Sequence, residues 1–306
     1  TFQSLRHVTT QKFSRTGFPG WNAVAPVVVS NAISVPIAHR PRLAYDGKGG
    51  AAYVWHDTRA SNRFNAWVQR VNAMGQVLFP ANGLQVSTDA GFQHLDPAMT
   101  FNQETGEIFV AWNLRNIAQS AWGIFAQKIS ADGTREWTDS GVELMPLNTI
   151  NKLFPRIVRA GSGAAVFFLE QPNTPLPGDV VRGIGVDADG VPTWNGSPIF
   201  VSSTVSTKGR LPVALDIDGG AILAWEDGRN GTTDVYAQRV GVIDGSLGPP
   251  SGPKCLADWN LDNSVDSQDF FDFLGDFFSG DADFNSSGAT DSQDFFDFLA
   301  AFFTGC

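Results

Sequence analysis

Between Thr1 and Leu247 the apolar residues fall in short runs rather than in a helical stripe. One stretch reads Pro41-Arg-Leu-Ala-Tyr45, then Ala51-Ala-Tyr-Val-Trp55, then Ala66-Trp-Val-Gln-Arg-Val71, then Gly83-Leu-Gln-Val-Ser87. Asp46-Gly47, Met74-Gly75 and Asn82-Gly83 separate the runs, so short strands joined by tight turns are predicted. Beyond Ala257 the period changes. Phe270, Phe271, Phe273, Leu274, Phe277 and Phe278 keep to one face at helical spacing, and Phe295, Phe296, Phe298, Leu299, Phe302 and Phe303 repeat them. Two short helices are expected there.

The strand pattern itself repeats. Pro41, Pro97, Pro155 and Pro212 form one series, and Trp55, Trp112, Phe168 and Trp225 a second. Gly17, Gly75, Gly133, Gly190 and Gly245 form a third, and Trp21, Phe79, Trp137 and Trp194 a fourth. All four series step by 55 to 58 residues. A unit of about 57 residues with four short strands and aromatic markers reads as one blade of a β-propeller, with a solenoid of sheets as the runner-up. The expected architecture is mostly β: a propeller of four or five blades over residues 1–247, a Pro/Gly linker over 248–254, and a small all-α domain over 255–306. The copies start out of phase. Thr1–Ser30 supplies only the later part of a unit, and the last unit enters the Gly-Pro-Pro-Ser-Gly-Pro linker without a fourth strand. A ring whose closing blade mixes both ends is expected, with lost upstream blades or completion by a neighbouring molecule as alternatives.

The C-terminal segment says one thing twice. Asp258, Asn260, Asp262, Asp266 and Asp269 occupy positions 1, 3, 5, 9 and 12 of a loop, and Asp283, Asn285, Ser287, Asp291 and Asp294 occupy the same positions of a second. This is the spacing that wraps a twelve-residue loop around Ca²⁺, with position 7 giving a backbone carbonyl, here from Ser264 and Ala289. Two calcium ions are therefore expected. Position 12 is Asp rather than the usual bidentate Glu, and the sixth position is Gly only in the second loop (Gly288), with Asn263 in the first.

A tandem Asp-x-Asn-x-Asp loop with Asp at position 12, each followed by a single helix, resembles a dockerin, and the Gly305-Cys306 finish is similar to dockerins that end bacterial secreted proteins. The resemblance implies binding of a cohesin-like partner through the helix starts, where Ser267-Gln268 and Ser292-Gln293 would help set specificity. Their identity in both halves implies docking in either of two orientations. Cys255 and Cys306 flank the module, which fits a disulfide stapling its ends in an oxidising compartment, or else a Cys306 that is free or processed.

Charge sharpens the division. Eleven Asp and no Glu, Lys or Arg lie between Cys255 and Cys306, whereas Thr1–Lys254 holds 21 basic against 20 acidic residues. The acidity belongs to the small domain, and no basic face suggests nucleic acid. No apolar run is long enough to span a membrane as a helix. Thr1 is not a start residue and no apolar leader follows it, so a mature or trimmed chain is expected.

Candidate chemistry in the large domain is thin. Trp55-His56-Asp57-Thr58-Arg59 and Trp225-Glu226-Asp227-Gly228-Arg229 share a Trp-x-Asp-x-Arg pattern; Trp112-Asn113-Leu114-Arg115 keeps part of it and Phe168-Leu169-Glu170-Gln171 loses it. Because the pattern recurs from unit to unit, an Asp–Arg pair fixing a turn is favoured over a ligand site. No zinc spacing, phosphate loop or nucleophile elbow appears, and no catalytic residue is assigned. The expected function is a secreted, non-catalytic binding or assembly protein, extracellular or at the cell surface. Its dockerin-like module would dock it to a cohesin-like protein or a cell-surface component. Two alternatives stand: a structural subunit of an extracellular assembly or filament, pairing with copies of itself, and a carbohydrate-active enzyme delivered by its dockerin.

Overall fold

The computed structural model describes residues 5–22, 24–36, 40–60, 62–172, 178–248, 256–260, 265–285 and 287–304. The chain is mostly β and divides into two units, Thr1–Leu247 and Gly248–Cys306.

In the first unit the repeats become antiparallel sheets in which each strand pairs with its sequence neighbour. A two-stranded piece, β1 (Val8–Thr10) and β2 (Val27–Ser30), comes first. Sheet one is β3 (Arg42–Tyr45), β4 (Ala51–Asp57), β5 (Asn65–Val71) and β6 (Leu84–Gln85). Sheet two is β7 (Gln93–Phe101), β8 (Ile108–Arg115), β9 (Trp122–Ile129) and β10 (Val142–Asn148). Sheet three is β11 (Lys152–Ala160), β12 (Gly163–Glu170), β13 (Asp179–Val186) and β14 (Ile199–Ser206). In sheet four the first strand is broken into β15 (Lys208–Gly209) and β16 (Val213–Leu215), both against β17 (Gly220–Asp227), with β18 (Asp234–Gly241) outside.

Consecutive sheets pack face to face through separate apolar layers. Phe101, Ile108 and Val110 meet Val54, Val68 and Phe79 between sheets one and two. Phe109, Ile124 and Trp137 meet Ile157, Val166 and Phe168 between sheets two and three. Val158 and Phe167 meet Leu211, Leu223 and Val240 between sheets three and four. Burying both faces explains why strands such as β12, Gly163–Glu170, read as continuous apolar runs rather than as alternations.

The periodic markers are the parts that join one sheet to the next. The turn glycines Gly75, Gly133, Gly190 and Gly245 have φ of +81°, +94°, +85° and +74°, a region costly for residues bearing a Cβ. Each also lies under the aromatic marker of the preceding repeat. A Cβ would sit 2.9 Å from Trp21, 3.2 Å from Phe79, 3.0 Å from Trp137 and 2.9 Å from Trp194, respectively. The indoles complete the lock by donating Nε1–H to the turn: Trp21 to the Ala73 carbonyl (2.9 Å), Trp137 to Ala188 (2.8 Å) and Trp194 to Val242 (3.1 Å).

The expectation of a closing sheet that mixes both ends is corrected. Among the described residues β1 and β2 pair only with each other, and no sheet takes strands from both ends of the unit. The reason is the same lock: Trp21 seats on Gly75 of the next repeat, so Val8 and Val29 cover Tyr53, Trp55 and Val71 of sheet one.

The second unit holds α1 (Ser267–Ser279) and α2 (Ser292–Thr304). Asp266 caps α1 by accepting from the Gln268 N–H at 2.7 Å, and Gly280, at φ 84°, ends it. Repeat mates pack as an internal pair. Phe273 stacks on Phe298 with centroids 3.9 Å apart and planes 2° from parallel. Phe277 meets Phe295 at 5.7 Å while Phe270 meets Phe302 at 6.0 Å, a reciprocal exchange expected of two-fold packing. The twelve apolar helix positions do not all form one buried face. Phe271, Phe278, Phe296 and Phe303 are exposed, because one helix pair covers a narrower arc than the twelve span.

Replacing Trp137, which is 2% exposed, with Ala should destabilise the first unit by about 3–5 kcal/mol in denaturant unfolding. Phe13→Ala, at an exposed position, should change stability by less than about 0.5 kcal/mol. Equal effects would contradict the lock.

Candidate functional site

The Trp-x-Asp-x-Arg cluster is built into the sheets. In β4 the Asp57 carboxylate accepts from the Trp55 indole at 2.9 Å and pairs with Arg59, which also donates to the Asn82 carbonyl at 2.7 Å. In β17 the fully buried Asp227 accepts from Trp225 (2.9 Å), Ser206 (2.6 Å) and Arg229 (2.5 Å), with Lys208 Nζ at 2.9 Å. Burial alone would raise this carboxyl's pKa. The donors outweigh it and hold the group far below the ordinary range. Its stabilising contribution is therefore complete above the unfolded carboxylate range and fades only in strong acid. Every acceptor site on Asp227 is engaged, so this residue has a folding role.

The position just after each marker aromatic behaves differently. In sheet one it is His56, whose Nδ1 accepts from the Asp96 N–H at 3.2 Å, on the first strand of sheet two. In sheet two it is Asn113, whose amide donates to the Lys152 carbonyl on the first strand of sheet three. In sheet four it is Glu226, which is paired with Arg210 at 3.3 Å. His56 and Asn113 thus mark the rim where the first strands of successive sheets lie against one another, and Glu226 holds the equivalent position within sheet four.

Those first strands are kinked at one recurring place. The register slips between Leu95 and Ala98 in β7 and between Leu153 and Arg156 in β11. Asp96, Phe154 and Arg210 there have φ of +49°, +53° and +46°, each just ahead of a Pro or Leu-Pro. A left-handed residue with a Cβ costs roughly 1–2 kcal/mol, and strain of this kind re-aims side chains at functional sites. Beside the kinks lies an open depression of about 520 Å³ lined by Arg42, Arg156, Arg210, Leu211, Pro212 and Val213.

Electrostatics tie the rim together. Burial lowers the pKa of Arg42 and of Arg115, and Asp96 opposes the shift in both. Arg156 is pushed down to about 10, first by burial and then by the neighbouring Arg42 charge, with Asp96 again opposing. Among the described residues neither Arg42 nor Arg156 has a carboxylate within 4.0 Å. The lining arginines thus have two carboxylate neighbours: Asp96, whose charge reaches Arg42 and Arg156, and Glu226, paired with Arg210. His94, at the start of β7, is fully buried and pushed down to about 4 by burial, so it stays neutral.

No protein-family model matches this chain, and no curated protein does. Solved structures do. An α-L-arabinanase of Penicillium chrysogenum, complexed with arabinobiose, is 13% identical over 72% of this chain and 68% of its own, with a TM-score of 0.52. The fold is shared with an arabinanase. An endo-arabinase of Bacteroides thetaiotaomicron (14% identity, 67% and 76% of the two chains, TM-score 0.42) is also similar. So is an N-acetylgalactosamine deacetylase of F. plautii in complex with blood group B trisaccharide (12% identity, 78% and 74%, TM-score 0.46).

The expectation of a non-catalytic binding protein is corrected by the fold, which the Penicillium chrysogenum arabinanase shares. It rested on finding no zinc spacing, phosphate loop or nucleophile elbow in the sequence. Carboxylates that meet only through the fold, on strands of different sheets, leave no local spacing to find. Arg42, Asp96, Arg156 and Arg210 were missed altogether. Pro41-Arg42, Asp96-Pro97 and Pro155-Arg156 at repeat positions were the available signal.

In the second unit the loop residues close on themselves. Asp294, at position 12, accepts from the N–H groups of Asn285 (3.0 Å) and Asp291 (2.8 Å), and these bonds hold its carboxyl below the usual range. Asp269 likewise accepts from the N–H groups of Asn260 (3.0 Å) and Asp266 (2.9 Å). Asp283 accepts from Ser287 (2.8 Å) and Gly288 (2.7 Å), and Gly288 makes the sixth-position turn at φ +94°. The Ser287 hydroxyl donates to the Ala289 carbonyl at 3.2 Å. The donor set fits a hard cation in kind, all oxygen, although among the described residues no three carboxylates or imidazoles converge as a metal cluster. Asp258 opens the described part of the first loop, whereas Asp262 and Ser264 lie outside the described residues, as do Cys255 and Cys306. Ser267, Gln268, Ser292 and Gln293 are exposed at the helix starts, with Gln268 and Gln293 donating to Asp272 and Asp297 at 2.8 Å each.

Proposed function

We propose that the chain is an extracellular carbohydrate-active enzyme whose first unit is a propeller of four or five blades and whose second unit is a dockerin-like docking module. The observation that carries this is the rim, where Asp96 and Glu226 each neighbour arginines of one open depression. Glycoside hydrolysis requires two carboxyl groups flanking the bond that breaks. Asp96, fixed by its strained backbone and by His56, serves as the base or nucleophile. Glu226, longer and half-buried at the end of β17, protonates the leaving oxygen. Water adds across the bond, its oxygen to the anomeric carbon and its proton replacing the one spent on the leaving group.

In the second unit the two loops take calcium, one ion each. Asp258, Asn260, Asp262, Ser264, Asp266 and Asp269 would hold the first, and Asp283, Asn285, Ser287, Ala289, Asp291 and Asp294 the second. Calcium supplies charge neutralisation within an Asp-rich loop, while the paired phenylalanines set the helices against each other. A cohesin-like partner is met through Ser267, Gln268, Ser292 and Gln293 at the helix starts.

Two experiments test this. Release of reducing ends by the full chain should be seen on at least one glycan of a panel of neutral and acidic plant and algal polysaccharides. Asp96→Asn and Glu226→Gln should each lower kcat by about 10²–10⁴-fold. Absence of turnover on every glycan, or full activity in both variants, contradicts the enzyme. For the second unit, calorimetric titration of the full chain should find two calcium ions. Asp258→Ala with Asp283→Ala should abolish both and reduce helicity; unchanged affinity contradicts the metal sites.

A further inference from the structure

The rim is unusual in its charge. The first unit as a whole is nearly neutral, and elsewhere arginines sit on acids: Arg59 on Asp57, Arg182 on Glu170, Arg229 on Asp227, Arg239 on Asp216. Around the depression, Arg42, Arg115, Arg156 and Arg210 outnumber Asp96 and Glu226. Arg42 and Arg156 are both half-buried and near enough for each charge to be felt by the other. Two like charges brought out of water at the lining of one depression oppose folding unless something else is gained. Arg156 is further fixed by donating to its own Pro155 carbonyl at 2.9 Å, at the kink beside Phe154. Among the described residues, the buried Nε of Arg115 has no hydrogen-bond partner. Pro212 and Val213 beside the arginines, over the buried Leu211, make an apolar floor that suits the carbon face of a sugar ring.

We infer, on the glycan-active reading above, that the substrate is an anionic polysaccharide, with a carboxylate or sulfate group seated between Arg42 and Arg156. A planar guanidinium holds such oxyanions through two parallel N–H donors, and a pair of them accepts one anion from two sides. The anion relieves the repulsion between the two arginines on binding, so a charged glycan gains what a neutral one cannot. Uronate and sulfate sugars present the same chemistry here and differ in shape: a carboxylate is planar, a sulfate tetrahedral.

The test uses the full chain carrying Glu226→Gln, so that bound glycan is not turned over. Calorimetry compares an oligogalacturonate, a sulfated galactan oligosaccharide and a neutral arabino-oligosaccharide. One of the two anionic ligands should bind at least about tenfold tighter than the neutral one, and raising the salt should weaken it. Arg42→Gln with Arg156→Gln should lose about tenfold or more, with the unfolding midpoint recording whether the fold persists. Arg42→Lys with Arg156→Lys keeps the charge and should recover part of the loss, which a purely structural role does not predict. Equal or better binding of the neutral ligand, or no effect of the Gln pair, overturns the anionic substrate while leaving a glycan enzyme standing. No binding of any of the three overturns both.

Discussion

The contact on which the first unit depends is a tryptophan or phenylalanine laid over the turn glycine of the next repeat. It needs two things at once: a left-handed turn that a Cβ would strain, and a bare backbone against which a large ring can lie. Trp21 on Gly75, Phe79 on Gly133, Trp137 on Gly190 and Trp194 on Gly245 satisfy both. Three of the four rings have an indole N–H, and each donates it to that same turn. The lock therefore ties sheet to sheet by packing and by a satisfied polar group, which a ring without a donor achieves only in part. With the sheets held in sequence, their first strands are forced together, and a rim exists for chemistry to occupy.

What the rim does follows from where its strain and charge collect. Backbone strain recurs at Asp96, Phe154 and Arg210, the place on each first strand nearest the neighbouring sheet. The fold tolerates it because the apolar layers between consecutive sheets fix the strands over their remaining length. Asp57 and Asp227 illustrate the opposite use of a carboxylate. Saturated with donors and buried, they stabilise the turn after the second strand and have nothing left for a ligand. Asp96 and Glu226, by contrast, stand near arginines that line the depression.

The strands were legible in the sequence because their markers recur and each marker has one physical job. Gly-x pairs at the turns and Pro-led apolar runs gave element positions within a few residues: 41–45 against the observed Arg42–Tyr45, and 66–71 against Asn65–Val71. The helices were legible from their period, but not which phenylalanines would be covered. Phe273 and Phe298 are fully buried while Phe278 and Phe303 are not, a matter of how one helix crosses the other. The rim was illegible for a different reason. Arg42, Asp96, Arg156 and Glu226 belong to four different sheet positions, and no local pattern distinguishes an arginine that ends beside another arginine from one that finds an acid. The Trp-x-Asp-x-Arg repeat drew notice because it recurs, and recurrence is what a structural part shows.

A crystal structure of the full chain with a uronate- or sulfate-bearing oligosaccharide tests the central claim most directly. The account predicts the sugar in the depression lined by Leu211, Pro212 and Val213, with its acidic group between Arg42 and Arg156 and its glycosidic oxygen facing Asp96 and Glu226. A sugar bound instead at an outer sheet edge, with the rim filled by water, would contradict it.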